Sequence, residues 1–172
     1  MRGNAFARRT CLGPRGGGPG EAAAPRPDIA AGARLLDGRG DGPRFIATAD
    51  TYAKARVVLR RQIGQNQCIQ FPIAEAYMEI EAANLMRYKA AAMFDEKKHC
   101  GAEANMAKHL CAKASWEAAN ACIQTFGGFG FAAEYDVERK FRETRLYLVA
   151  PISTNLILSY VAEHVLGMPR SF

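Results

Sequence analysis

The sequence has no Cys-x-x-Cys pair, and its cysteine count is odd: Cys11, Cys68, Cys100, Cys111 and Cys122 stand at wide spacings. That pattern excludes a zinc module and a disulfide framework. It reads instead as small helix residues in a reducing compartment, with Cys68, Cys111 and Cys122 expected to be mostly buried. No apolar run approaches the ~18 residues that would span a bilayer, so no membrane partner is expected. No segment alternates with the period of two that marks a half-buried strand, and no internal repeat is visible. There is a single tryptophan, Trp116, set among alanines where a packing role is more natural than a stacking platform. The three histidines, His99, His109 and His164, are scattered, which argues against an imidazole base or metal ligand.

What is present is a chain of 172 residues, 49% hydrophobic, enough for one globular domain. The net charge of +6 is unevenly placed: residues 1–44 hold eight arginines against four acids. Residues 1–40 read as an Arg/Gly/Pro-rich tail that buries too little apolar area to offset its ordering entropy. A targeting segment and an arginine-glycine RNA-binding tail are the other readings of it. Acids are absent before Glu21, but Thr10 is the one hydroxyl residue there and no aromatics are interleaved. Nucleic acid is therefore not an expected partner. The compartment is read as cytoplasmic, with the mitochondrial matrix as the alternative.

From about Pro43 the composition turns to helix formers. A first helix is expected from Pro43 or Arg44 to Val58, and a basic connector follows through Gly64. A long second helix is predicted over Gln67–Lys97, with Ile69, Ile73, Tyr77, Ile80 and Asn84 on one face and Pro72 in its first turns. Lys97 and Lys98 suit the negative end of its dipole. A third helix is predicted over Glu103–Phe126, with Met106, Leu110, Ala114, Ala118 and Ala121 on one side. A shorter helix follows over Asp136–Tyr147, capped by Asp136, and a last one runs from Ser153 or Thr154 to Gly167. The fold class is all-α, an up-and-down bundle of four to five helices spanning residues 41–172.

Three glycines in four positions interrupt this pattern at Gly127, Gly128 and Gly130. Such a loop is either a helix stop or a place where backbone must approach a ligand closely. The charged run after it, Glu134 to Glu143, reads as a salt-bridged helix rather than a catalytic carboxylate pair. Arg56 is open to two readings, a solvated charge at a helix end or a phosphate partner.

Gln124, Gly127, Gly128, Gly130, Phe131, Glu134, Arg139 and Glu143 together form Gln-x2-Gly-Gly-x-Gly-Phe-x2-Glu-x4-Arg-x3-Glu. This spacing resembles the C-terminal motif of the acyl-CoA dehydrogenase family. The segment from Tyr52 through Arg56 and Ile63 to Gln67 is similar to that family's Tyr-x3-Arg-x2-Phe-Gly-x2-Ile…Gln stretch, and Ala107-Lys108 stands where the family often has a Met/Ala-Lys pair. The resemblance covers about Asp41 to Phe172. It implies an α,β-desaturation of acyl-CoA thioesters in the complete family enzyme, with FAD as hydride acceptor. It also implies a partial FAD site shared with another subunit or with absent domains. Arg56 would meet phosphate charge, Gln67 the adenosine side, and Gln124, Gly127 and Gly128 the adenine–pyrophosphate portion. Thr154 and Asn155 would stand at the start of the last helix, where N–H groups can meet phosphate.

The chain departs from the family pattern in three ways. Leu59-Arg60 replaces Phe-Gly, Ile152 or a neighbour stands where the usual catalytic glutamate would be, and the other two domains are not encoded. No catalytic residue and no metal site are assigned. The resemblance implies a family fragment inactive alone, with a homo-oligomer or full-length relative as partner and acyl-CoA only if the enzyme is complete. A non-catalytic helical oligomerisation module is the alternative.

Overall fold

The computed structural model describes residues 41–150 and 152–170; the tail and the extreme C-terminus expected from the sequence lie outside the described residues. The first helix, α1 (Asp41–Ala55), places Phe45, Ala49 and Ala53 four residues apart on one buried stripe. It stops before Val58, where the sequence reading had carried it. Val57–Val58 (β1) and Arg61–Gln62 (β2) instead form a small antiparallel ribbon, with Val57 opposite Gln62 and Val58 opposite Arg61. Adjacent β-branched valines favour that extended backbone. The Ile63 N–H donates to the Arg56 carbonyl at 3.0 Å and closes the base of the ribbon. No strand had been expected, because two residues are too few to show a period.

The second helix, α2 (Gln67–Asp95), is the longest. Pro72 is its sixth residue, so the Cys68 carbonyl loses its usual donor. That is more than the negligible cost expected of a proline in the first turn. The buried stripe is Ala76, Ile80, Ala83, Arg87 and Ala90. Tyr77, expected on that face, is 52% exposed. Its neighbour Ala76 is the residue that packs inward, since small side chains let the helices approach closely. The helix ends two residues earlier than predicted, in a Schellman arrangement: Lys98 N–H donates to Met93 O at 2.9 Å and Lys97 N–H to Phe94 O at 3.0 Å. Lys97 takes the left-handed conformation (φ 58) usually given to glycine there.

The third helix, α3 (Gly101–Phe126), is the axis of the bundle, and α1, α2, α4 and α5 all pack on it. It buries Ala104, Ala107, Cys111, Ala112, Ala114, Ala118, Ala119, Ala121 and Cys122, more than one face. Leu110, predicted to point inward, is 38% exposed, while its neighbour Cys111 is fully buried. The alanines account for this: short side chains admit neighbours on several sides at once. Cys111 and Cys122 are buried as expected, and so is Cys100, but Cys68 on the first turn of α2 is exposed.

The fourth helix, α4 (Val137–Leu146), follows two short 3-10 turns, Gly127–Phe131 and Ala133–Tyr135. Asp136 makes no capping hydrogen bond. It stands at φ 59 and gives its carboxylate to Arg139 at 2.5 Å and to Arg44 of α1 at 3.0 Å. The fifth helix, α5 (Thr154–Tyr160), is capped by Ser153, whose Oγ accepts the Leu156 N–H at 3.4 Å. The chain then widens into a π turn over Val161–Val165 rather than continuing as an α-helix to Gly167. Among the described residues the fold is an all-α bundle of five helices, and none of these helices is long and apolar enough to cross a membrane.

Candidate functional site

One end of the bundle gathers the C-terminus of α3, the glycine loop, the ribbon and the first turns of α2. Phe126 closes α3 and stacks on Tyr52 of α1 at 3.9 Å, with Tyr135 edge-on to both at 5.3 and 6.1 Å. This aromatic cluster holds the loop against α1. Arg56, the residue after α1, lies 5.1 Å above the ring of Phe129 in the loop. The two sequence motifs, which begin 72 residues apart at Tyr52 and Gln124, therefore meet at one surface.

The three glycines serve different purposes. Gly127 ends α3 at φ 58, a backbone region that side chains rarely adopt. Gly130 is buried, and a Cβ there would stand 2.8 Å from Ile123 Cγ1 and 3.0 Å from Ile123 O. Gly128 needs neither freedom: its φ is not positive, and an added Cβ would meet nothing within 4 Å. It is exposed beside Gln124 and Gly127, which are exposed too. The fold therefore explains two of the three glycines, and an approaching ligand is the natural use of the third.

Gln124 also lines a groove of about 560 Å³ between α2 and α3, together with Pro72, Ala76 and Ile123. The groove turns polar away from the loop, where Glu75, Glu79, Lys113 and Glu117 line it. Gln67 is the first residue of α2 and is exposed. The segments 56–71 and 118–133 hold three arginines and no aspartate, glutamate or histidine. These two segments can therefore attract an anion, and they supply no carboxylate or imidazole of their own for acid–base catalysis. The Cys122 thiol there is pushed up to about 12 by burial, which removes it as a nucleophile at neutral pH.

Thr154 and Asn155 stand elsewhere. The Thr154 hydroxyl and N–H both donate to Leu148 O, at 3.0 and 3.1 Å. That turn is tied to Lys108, sixteen residues before Gln124 on α3, or about 24 Å along the helix axis. Of the seven expected site residues, five share the loop end and these two do not.

Lys108 is the residue that sequence reasoning undervalued. It is wholly buried, and its Nζ donates to Tyr147 O at 2.9 Å and Ile152 O at 2.5 Å. It thereby satisfies carbonyls at the end of α4 and in the turn before α5, the segment where the family motif would carry its carboxylate. The signal was available: a lysine inside an alanine-rich, buried stretch needs oxygen partners. The Glu134–Glu143 run proves structural at its helical end, where Arg139 pairs with Glu143, Arg142 with Glu138, and Lys140 bridges Glu143 and Asp41 at 2.9 and 3.1 Å.

Residues 40–166 match the profile of the acyl-CoA dehydrogenase C-terminal domain. The chain belongs to the acyl-CoA dehydrogenase family. It is 39% identical over 135 residues to the acyl-CoA dehydrogenase FadE12 of Mycobacterium tuberculosis, covering 77% of this chain and 35% of that protein. Among solved structures it is similar to a glutaryl-coenzyme A dehydrogenase in complex with glutaryl-CoA (TM-score 0.79, 30% identity, 86% of this chain and 37% of the other). It is also similar to the FAD complex of PigA (TM-score 0.69, 27% identity, 74% and 33%). The chain thus spans about a third of the length of these relatives.

Proposed function

We propose that residues 41–170 act as the C-terminal bundle of an FAD-dependent acyl-CoA dehydrogenase and supply the adenine–diphosphate wall of a cofactor site completed by other polypeptide. Gly128 carries this reading: an exposed glycine that the fold itself does not require, beside a guanidinium with no acidic partner among the described residues. Arg56 would meet diphosphate charge, and Gln67 and Gln124 the adenosine portion. Gly127 and Gly128 would let the backbone approach the ligand. Thr154 and Asn155, at the far turn, would face a different part of a cofactor or a second one. When bound, the flavin would supply the hydride acceptor for desaturation of an acyl-CoA. The chain itself offers no base for the α-proton at the loop end, and Ile152 occupies the turn where the family carboxylate is expected. The free, buried thiols Cys100, Cys111 and Cys122 suit a cytoplasmic setting.

Purification followed by flavin absorbance tests this reading. The expected result is no stoichiometric FAD and no acyl-CoA turnover by the chain alone. Tight, stoichiometric FAD with turnover would overturn it.

A second reading, a helical module that associates with itself or with a longer relative, is favoured by α2. Phe71, Met78 and Leu85 stand seven residues apart on its outer face and are 60%, 63% and 73% exposed. A heptad-spaced apolar seam is what a helix offers to another helix. Light scattering after size exclusion decides: a purely monomeric chain at tens of micromolar counts against it.

A further inference from the structure

The tip of the β1–β2 ribbon breaks two rules of turn chemistry at once. Leu59 and Arg60 are successive residues at φ 51 and φ 68. Two positive φ values in a two-residue hairpin loop mark a type I′ turn, for which Asn-Gly or Gly-Gly is the relaxed choice. A side chain in that conformation crowds the following carbonyl. Glycine at position 60 would remove the crowding and lose nothing inside the fold. Arg60 is exposed and makes no hydrogen bond, ion pair or ring contact among the described residues. Arg61, by contrast, is committed to the Asn66 side-chain oxygen.

The ribbon is short, and its base is the hydrogen bond from Ile63 N–H to Arg56 O. Arg60 is four residues from Arg56, at most about 14 Å of extended chain, so two such long side chains can reach one ligand. Neither guanidinium has an ion-pair partner among the described residues. The two positive charges raise each other's attraction for a polyanion within a Debye length of about 10 Å. Strain kept in place of a free relaxation points to a use outside the fold.

We propose that Arg60 is a second diphosphate contact of the Arg56–glycine-loop site, and that it sets how strongly the site takes adenosine diphosphate over uncharged adenosine. The inference rests on the reading of this end as an adenine–diphosphate wall. The test is NMR titration of the full chain with ADP and, separately, with adenosine. Arg56→Gln serves as the reference for the site itself.

Wild type is expected to bind ADP weakly, in the millimolar range, with shifts confined to the glycine loop, Gln67 and the ribbon. Arg60→Gln keeps the strained backbone and should weaken ADP about fivefold, an exposed charge contact, while adenosine shifts stay unchanged. Arg60→Gly should weaken ADP equally and raise the melting temperature by about 4 °C as the turn relaxes. A purely structural Arg60 would lower or raise stability without touching the ADP affinity. If Arg56→Gln weakens ADP and neither Arg60 variant does, the role of Arg60 is overturned and the site stands. If wild type shows no ADP shifts at the loop, or Arg56→Gln changes nothing, the site reading fails and takes Arg60 with it.

Discussion

The two ends of α3 obey opposite rules. Around Lys108 several polar groups are committed: the ammonium serves Tyr147 O and Ile152 O, Thr154 serves Leu148 O, and Ser153 caps α5, while His109 Nδ1 and Thr144 Oγ1 are buried without a partner among the described residues. Around Gln124 the polar groups face open space: Gln67, Gln124, Arg56 and Gly128 are exposed. A buried polar group without a partner costs free energy, which the Lys108 ammonium avoids by donating to two carbonyls of the chain itself. An exposed one is satisfied by water and gives it up to a ligand, so the second end is free to bind. On the proposed reading, conformational integrity resides at one end of a single helix and recognition at the other.

The sharpest way to break this contrast is at Lys108. Lys108→Ala removes the donor for two buried carbonyls and leaves a cavity, and should cost about 3–4 kcal/mol. The expected outcome in urea is an earlier midpoint, with amide exchange accelerating first at residues 147–154. A loss below about 0.5 kcal/mol, typical of surface changes, would mean that the closed end is not held by this lysine.

Alkaline pH probes the same burial along α3. The Cys111 and Cys122 thiols are pushed from an ordinary value of 9.0 up to about 12 by burial. The unfolded chain therefore releases those protons first as pH rises. Stability is unaffected below about pH 9 and falls between there and about pH 12, by about 1.4 kcal/mol per pH unit for each thiol. Cys111→Ala with Cys122→Ala should flatten the slope, although each substitution costs stability at neutral pH. An unchanged slope in the double variant would show that other groups control alkaline unfolding.

Much of this was legible before any coordinates. Helix existence followed from pattern and the glycine loop's flanks from spacing, while a shared role for the Arg56 and glycine-loop motifs came only as an implication of the family resemblance. The misses have physical causes. Tyr77 and Leu110 were placed on the apolar faces by their three-and-four spacing, whereas alanines and cysteines one position away fill a core whose helices lie close together. The ribbon escaped because two residues carry no periodicity. Asp136 was read as a cap from its residue type, but Arg139 and Arg44 offered its carboxylate stronger, charged partners. Lys108 was passed over because nothing in a sequence shows which carbonyls will end up around a buried ammonium.

The smallest expected effect is also the most discriminating, because it separates two glycines two residues apart. Gly130→Ala should cost about 2 kcal/mol, since its Cβ would stand 2.8 Å from Ile123 Cγ1 and 3.0 Å from a backbone oxygen that cannot step aside. Gly128→Ala meets nothing within 4 Å and stands at no positive φ. It should be neutral, or stabilising by up to about 0.5 kcal/mol through a less flexible unfolded chain. The same Gly128→Ala change should nonetheless weaken ADP shifts at the loop, because the methyl group occupies the space the ligand's phosphates would approach. Loss of stability at Gly128 would place it with Gly130 as a packing residue. A stable Gly128→Ala that binds ADP as wild type does would leave the third glycine without a use and reduce the loop to a helix stop.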